Sequence, residues 1–252
     1  MVELLLIDGG YVSFYRYHAA LNWWKKQGNA PEGAWHDDRF RSVLMKKYKE
    51  CLQALLKKFK PNISVLCMDC GKSWRKELFA EYKAMRVPLT DSMREYFQYL
   101  HSNMETICAS LGINYLSSNG IEADDWISYG ALNLGKSTLI VSSDHDFLTI
   151  ANDRIKICSI KGESKTYEIP ANIYLIQKIL MGDKSDNIAP VFKGCGPKTA
   201  LKLASNPEKL QEMLDKCPET KKNFDDNKKL IEFGHWPQEV FEVITKSWNT
   251  VT

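Results

Sequence analysis

Apolar residues follow two rhythms along this chain. Short continuous runs, ELLLID, NISVLCMD and STLIVSSD, have the length and apolar density of strands buried on both faces. GINYL and RIKICSI are further strand candidates. Between these runs, apolar residues recur every three or four positions over Asp38–Phe59, Thr90–Leu111 and Asp124–Leu134, which predicts amphipathic helices. Strands alternating with helices of this length predict a mostly parallel sheet in an α/β domain. The polar stretch KKQGNAPEGAWHDD reads as a loop. After about residue 170 the strand rhythm stops, and short helical patterns broken by Gly, Pro and Asn take over. We therefore expect an α/β core over 1–169 and a helical region over 170–252.

Composition narrows the picture. A chain of 252 residues with 44% hydrophobic content can build a sizeable core. The formal charge of +3 is small, so binding to a polyanion would need local basic patches. No apolar run is long enough to cross a bilayer, and MVELLLIDGG reads as a strand rather than a signal peptide. Seven scattered cysteines fit reduced thiols in a soluble intracellular protein better than a disulfide framework. Cys67-x-x-Cys70 has no second pair to complete a zinc site.

The chemistry lies in the acids. Three predicted strands end in aspartate: Asp8, Asp69, and the pair Asp144 and Asp146. In parallel α/β sheets ligands bind outside the carboxyl ends of the strands. Glu122, Asp124 and Asp125 crowd the start of a helix in IEADDWISYG, and Asp183 and Asp186 follow in MGDKSDN. Helix capping explains any one of these acids, but not all nine in one cleft. Like charges repel, and burying them unpaired is costly. Divalent cations remove that cost, and oxygen ligands without His or Cys suit Mg²⁺ or Mn²⁺. Two such ions clamp an in-line phosphoryl displacement.

Two other motifs carry positive charge. KSWRKELFAEYKAMR holds Lys72, Arg75, Lys76, Lys83 and Arg86 among Trp74, Phe79 and Tyr82. If the segment is helical, Lys83 and Arg86 share a face. GCGPKTALKL reads as a tight turn opening a helix at Pro197, whose N-terminus can hold a phosphate. Gly194 and Gly196 would let a backbone approach, and Lys193, Lys198 and Lys202 add charge beside Thr199.

LLLIDGG, MDCGKSWRKELFAEYKAMR, GIEADDWIS, VSSDHDFLTI and GDKSDNIAPVFKGCGPKTALKL occur in the order seen in the flap endonuclease / 5′-nuclease family, which this chain resembles from residue 3 to about 205. That family includes bacteriophage 5′-exonucleases and the nuclease domain of bacterial DNA polymerase I. The resemblance implies a PIN-like central sheet flanked by helices, a helical arch at about 72–100 and a helix–turn–helix at about 176–205. It implies a metal-dependent, structure-selective 5′-nuclease acting in replication and repair, with RNase H-type activity on RNA primers. Asp8, Asp69, Glu122 and Asp124 match ligands of a first metal, and Asp144, Asp146 and Asp183 those of a second. Asp125 and Asp186 match acids slightly further out. Lys83 and Arg86 match cations that stabilise the transition state, and Tyr82 becomes a candidate for stacking on an unpaired base. Arg16, Lys72, Arg75 and the glycine-turn residues Lys193, Gly194, Gly196, Lys198, Thr199 and Lys202 are expected to bind DNA, with a monovalent cation such as K⁺ at the turn. The family commonly has Arg seven positions after the first Asp; here Tyr15 stands there, and Arg16 follows. Expected partners are branched or 5′-ended duplex DNA, RNA/DNA hybrid and replication proteins such as a single-strand-binding protein. A monomer in the cytoplasm, nucleoid or an infected host cell is expected. Two rivals are a catalytically inactive branched-DNA binder of this fold and a phosphatase; Gly10 stands where strand–Asp phosphatases place a second Asp.

Overall fold

The computed structural model describes residues 2–166 and 168–251. Six strands form one sheet in the order β3-β2-β1-β4-β5-β6. They are β1 (Leu4–Asp8), β2 (Ile63–Cys67), β3 (Asn114–Leu116), β4 (Thr138–Val141), β5 (Ile155–Cys158) and β6 (Ser164–Lys165). All neighbours pair in parallel except β5 with β6. The chain winds from β1 outward to β2 and β3, then returns to place β4 on the other side of β1. The order therefore reverses between β1 and β4, the position where open α/β sheets bind ligands.

Alternation along β1 divides the core. Leu5 and Ile7 face a layer with Phe40, Leu44, Tyr48, Tyr96 and Met104. These come from α2 (Asp38–Phe59) and α4 (Asp91–Ala109). Leu4 and Leu6 face Trp126 and Ile127 of α5 (Ala123–Asn133). Both faces are thus covered, which is why the strands read as continuous apolar runs.

Helix α1 (Gly9–Lys26) was not expected from the apolar rhythm. Its buried face is Gly9, Val12, Ser13, Tyr17, Ala20 and Trp24, small and aromatic residues that hide an aliphatic stripe. Gly9 is required there, because a Cβ would lie 2.8 Å from the Cys67 carbonyl oxygen and 2.4 Å from Met68 Sδ. The expected loop at residues 25–38 is shorter than predicted. Helix α1 runs through Lys26, and a 3₁₀ turn at Ala34–His36 buries Trp35 against Tyr96, ring centroids 5.3 Å apart.

From residue 171 onward the chain is helical: α6 (Ala171–Met181), α7 (Pro197–Ala204), α8 (Pro207–Lys216), α9 (Pro218–Ile231) and α10 (Gln238–Trp248). Helices α6 to α9 bury a core of their own around Ile179, Leu180, Ala200, Leu203, Leu214 and Phe224. Helix α10 returns to α5, where Trp248 packs on Gly130 and donates its indole N–H to the Trp126 carbonyl at 3.2 Å. A Cβ on Gly130 would meet that ring at 2.5 Å. No helix among the described residues is long and apolar enough to cross a membrane.

Candidate active site

Strands β2, β1 and β4 are neighbours at the centre of the sheet, and their carboxyl ends deliver Asp69, Asp8 and Asp144 to one rim. Asp8 caps α1, with Oδ1 accepting from the Tyr11 amide at 2.9 Å, while Oδ2 accepts from Ser142 Oγ at 2.7 Å. Asp8 thus caps a helix while standing at the rim of the sheet. Asp69 accepts from the Ala123 amide at 2.7 Å, which ties the end of β2 to the start of α5. Asp144 accepts from the Asp146 amide at 2.8 Å.

These carboxylates feel one another. Burial, then the charges of Asp69 and Asp144, push Asp8 up to about 6 against the hydrogen bonds from Tyr11 and Ser142. Burial raises Asp124 well above the usual range, helped by the charges of Asp144, Asp8 and Asp69. Asp69 is raised by desolvation and by Glu122. It opens to solvent, so its desolvation carries less weight than that of the partly buried Asp8 and Asp124. No salt bridge among the described residues neutralises Asp8, Asp69, Asp124 or Asp144.

The remaining acids are paired. Glu122 caps α5 and ion-pairs with Arg75 at 2.8 Å and with Lys83. Burial alone would raise it, but those two cations and the Ser73 hydroxyl bring it down to about 2. Asp183 accepts from the Ser185 amide and hydroxyl, and Lys178 ion-pairs with both Asp146 and Asp183. Ser185 and Lys178 lower Asp183 against the effect of burial. Asp186 pairs with Arg86 at 2.6 Å. As the side chains stand, no group of three or more His, Cys, Asp or Glu among the described residues is arranged to hold a metal ion. Of the expected acids, Glu122, Asp146, Asp183 and Asp186 are thus engaged by cations, whereas Asp8, Asp69, Asp124 and Asp144 are not.

Three expected placements are corrected by burial. Asp125 is 0% exposed, and its two oxygens accept from Arg75, Trp74 Nε1, Trp236 Nε1 and the Glu122 amide at 2.8–3.1 Å. Its acceptor capacity is used, so it stands as a structural anchor rather than a metal ligand. Arg75 is 5% exposed, locked between Glu122 and Asp125, with Nε donating to the Leu230 carbonyl at 3.2 Å. It has no face for DNA. Tyr82 is 3% exposed and packs in the helical core, its hydroxyl donating to Glu122 at 3.3 Å, so it has no ring face free for stacking on a base.

The segment carrying Lys83 also differs from expectation. A helix forms only over α3 (Arg75–Leu78), and residues 80–86 follow as turns. Lys83 has left-handed backbone at φ 58°, so Lys83 and Arg86 share no helix face. They still come together, because Lys83 reaches Glu122 and Arg86 reaches Asp186 at the same rim.

The glycine turn lies where expected. Gly196 caps α7, Pro197 occupies its first turn, and open space surrounds Gly194 and Gly196. Lys193, Lys198, Thr199 and Lys202 are exposed, as is Lys72, while Arg16 is half-buried with its guanidinium 5.7 Å from the Tyr15 ring centroid. A cleft of about 750 Å³ runs from Lys178 and Asp183 to Gly194, Gly196 and Pro197. Sequence reasoning missed Lys178 and Trp236. Lys178 lies five residues before Asp183, outside the three- or four-residue spacing that marks a helical ion pair, so the sequence does not single it out. Nothing in the sequence marks Trp236, which reaches Asp125 from 111 residues away.

Residues 3–178 match the family described as 5'-3' exonuclease, N-terminal resolvase-like domain. The chain belongs to this family. A 5'-3' exonuclease of Buchnera aphidicola subsp. Acyrthosiphon pisum is 32% identical over 227 residues, covering 84% of this chain and 74% of that protein. A DNA polymerase I of Lactococcus lactis is 31% identical over 84% of this chain, which spans about 25% of that longer polymerase. The fold is that of the bacteriophage T5 D15 protein crystallised with metal ions, at TM-score 0.74 and 21% identity over 99% of each chain. A T5 D15 flap endonuclease complex with DNA and metal ions aligns at TM-score 0.74 and 20% identity, covering 99% of this chain and 98% of that one.

Proposed function

We propose that this protein is a divalent-cation-dependent 5′-nuclease that hydrolyses phosphodiesters near junctions of single strand and duplex. The observation that carries the reading is the unneutralised group Asp8, Asp69, Asp124 and Asp144 at the topological switch point, rimmed by Lys83 and Arg86. Mutually repelling oxygen donors in a half-buried cleft fit a hard cation, since added positive charge offsets the burial and repulsion that raise Asp8, Asp69 and Asp124. Asp8, Asp69, Asp124 and Glu122 would hold one Mg²⁺ or Mn²⁺, and Asp144, Asp146 and Asp183 a second. When bound, the ions would supply Lewis-acid stabilisation of phosphoryl charge and make water a better nucleophile.

The chain's own residues do the rest. Lys83 and Arg86 would leave Glu122 and Asp186 for the scissile phosphate, meeting charge that grows toward the transition state. Lys193, Lys198, Thr199 and Lys202 would hold a duplex phosphate at the start of α7 without reading sequence. Gln177, which lines the neighbouring cleft, keeps its buried Oε1 without a hydrogen-bond partner. That oxygen supports a K⁺ near the glycine turn. Products would carry a 5′-phosphate and a 3′-hydroxyl, and removal of 5′ flaps or RNA primers is the proposed role.

A labelled 5′-flap duplex incubated with Mg²⁺, with Mn²⁺ and with EDTA tests the reading. Cleavage near the junction in either metal, abolished by EDTA, is the expected result. Tight flap binding with no cleavage in either metal would leave a catalytically inactive branched-DNA binder. Nicked, 5′-overhang and RNA/DNA hybrid substrates then separate exonuclease, flap and RNase H activities.

A further inference from the structure

Lys83 and Asn187 share an uncommon feature. With Lys60, a helix C-cap, they are the non-glycine residues with positive φ among those described, at 58° and 62°. Asparagine tolerates this conformation, but lysine has no side-chain means of stabilising it, so tertiary contacts must hold it. They do, and they come from the loop of Asn187. That loop is closed on itself at Asp183, whose amide and carbonyl both bond Ile188, at 3.0 and 2.8 Å. From it, the Asp186 carbonyl accepts the Lys83 amide at 3.0 Å. Asn187 Nδ2 donates to the Glu81 carbonyl at 3.0 Å. Arg86 donates to the Asp186 carboxylate at 2.6 Å. The two turns are therefore stitched together on both sides of Lys83, and the ammonium of Lys83 rests on Glu122.

We propose that Asn187 is a positioning residue whose amide clasps the turn of Glu81–Arg86 and so holds Lys83 over the acid cluster. The loop that presents Asp183 to the cleft then also sets the height of the catalytic cation. Where Lys83 is held follows from these contacts; what Lys83 does there rests on the nuclease reading above.

Two variants separate the amide from the backbone. Asn187→Gly adopts positive φ without strain and removes only the donor. Asn187→Asp keeps the size and turns an acceptor toward the Glu81 carbonyl. Lys83 acetylation by acetic anhydride in the intact chain, read by mass spectrometry against the exposed Lys198, reports whether Lys83 is held. A rise of several-fold in both variants is expected. Single-turnover cleavage of the flap substrate should fall by about tenfold at saturating enzyme, as misplacement of a reacting group does, with Kd for the flap in Ca²⁺ unchanged. In a Lys83→Ala background the same Asn187→Gly change should cost nothing further, since the two act through one group. Wild-type Lys83 labelling in Asn187→Gly would overturn the clasp, whatever the cleavage result. An unchanged single-turnover rate, or an equal loss without Lys83, would overturn the positioning role. A wild-type protein that cleaves nothing would sink the nuclease reading instead, while the labelling still decides the clasp. If Asn187→Asp fails to fold, Asn187→Gly carries the test alone.

Discussion

Asp124 and Asp125 are sequence neighbours with opposite surroundings. Asp125 points into the protein, where Arg75, two tryptophan N–H groups and a backbone amide neutralise it. Asp124 points to the cleft, where its near neighbours are Asp8, Asp69 and Asp144 and its carboxyl is pushed far up. One region of α5 is a finished ion-pair network. The other is a charge imbalance that the chain does not correct by itself. The difference separates two uses of a buried acid: a partnered one fixes structure, and an unpartnered one is available to bind something positive.

Breaking the finished side should have the largest effect. Arg75→Met leaves Glu122 and Asp125 buried with one cation fewer and should lower stability by about 3–5 kcal/mol, read as a lower denaturation midpoint. A change under about 1 kcal/mol would mean that Asp125 is held by its tryptophans alone, and the contrast with Asp124 would weaken.

On the open side, Lys83→Ala should lower single-turnover cleavage by on the order of 10²–10³ while flap affinity holds. Loss of affinity with a normal saturated rate would make Lys83 a binding residue like any surface lysine.

The two sides should also answer pH with opposite sign. Asp8 is raised from 3.8 to about 6, so in EDTA its contribution is present at low pH and is lost as pH climbs from about 4 to 6. Unfolding free energy relative to Asp8→Asn should fall by about 2–3 kcal/mol over that interval. Glu122 is lowered from 4.5 to about 2, so its contribution is present above about 4.5 and is lost as pH drops toward 2. Chemical denaturation of wild type and Asp8→Asn across pH 3–7 checks the first slope. A flat difference between them would show that neither burial nor the neighbouring carboxylates raise Asp8.

The smallest effect concerns the glycine turn. Lys198→Ala should lower the slope of log affinity against log salt for the flap substrate by about one unit, uniformly across sequences. An unchanged slope would move the duplex grip away from α7.

Much of this was legible in the chain. The apolar runs marked β1, β2 and β4, because strands buried on both faces need no alternation to be recognised. Helix α2 was predicted with the bounds it has, since its stripe is aliphatic and regular. Helix α1 escaped because glycine, serine and aromatics make up its buried face. The acids at strand ends were visible as residue types, and so were Lys83, Arg86 and the glycine turn. Which acids would be paired was not visible.

What the sequence determined by itself was therefore local: periodicity, the strand-end position of Asp8, Asp69 and Asp144, and the Gly-Pro start of α7. Each depends on residues within a few positions of one another. Only the tertiary structure decided that Asp125 is an anchor and Asp124 is not. That outcome is set by Arg75, 50 residues away, and Trp236, 111 residues away. A carboxylate's charge state and availability depend on which cations and donors surround it in space. Sequence spacing carries no record of contacts that long-range folding alone creates.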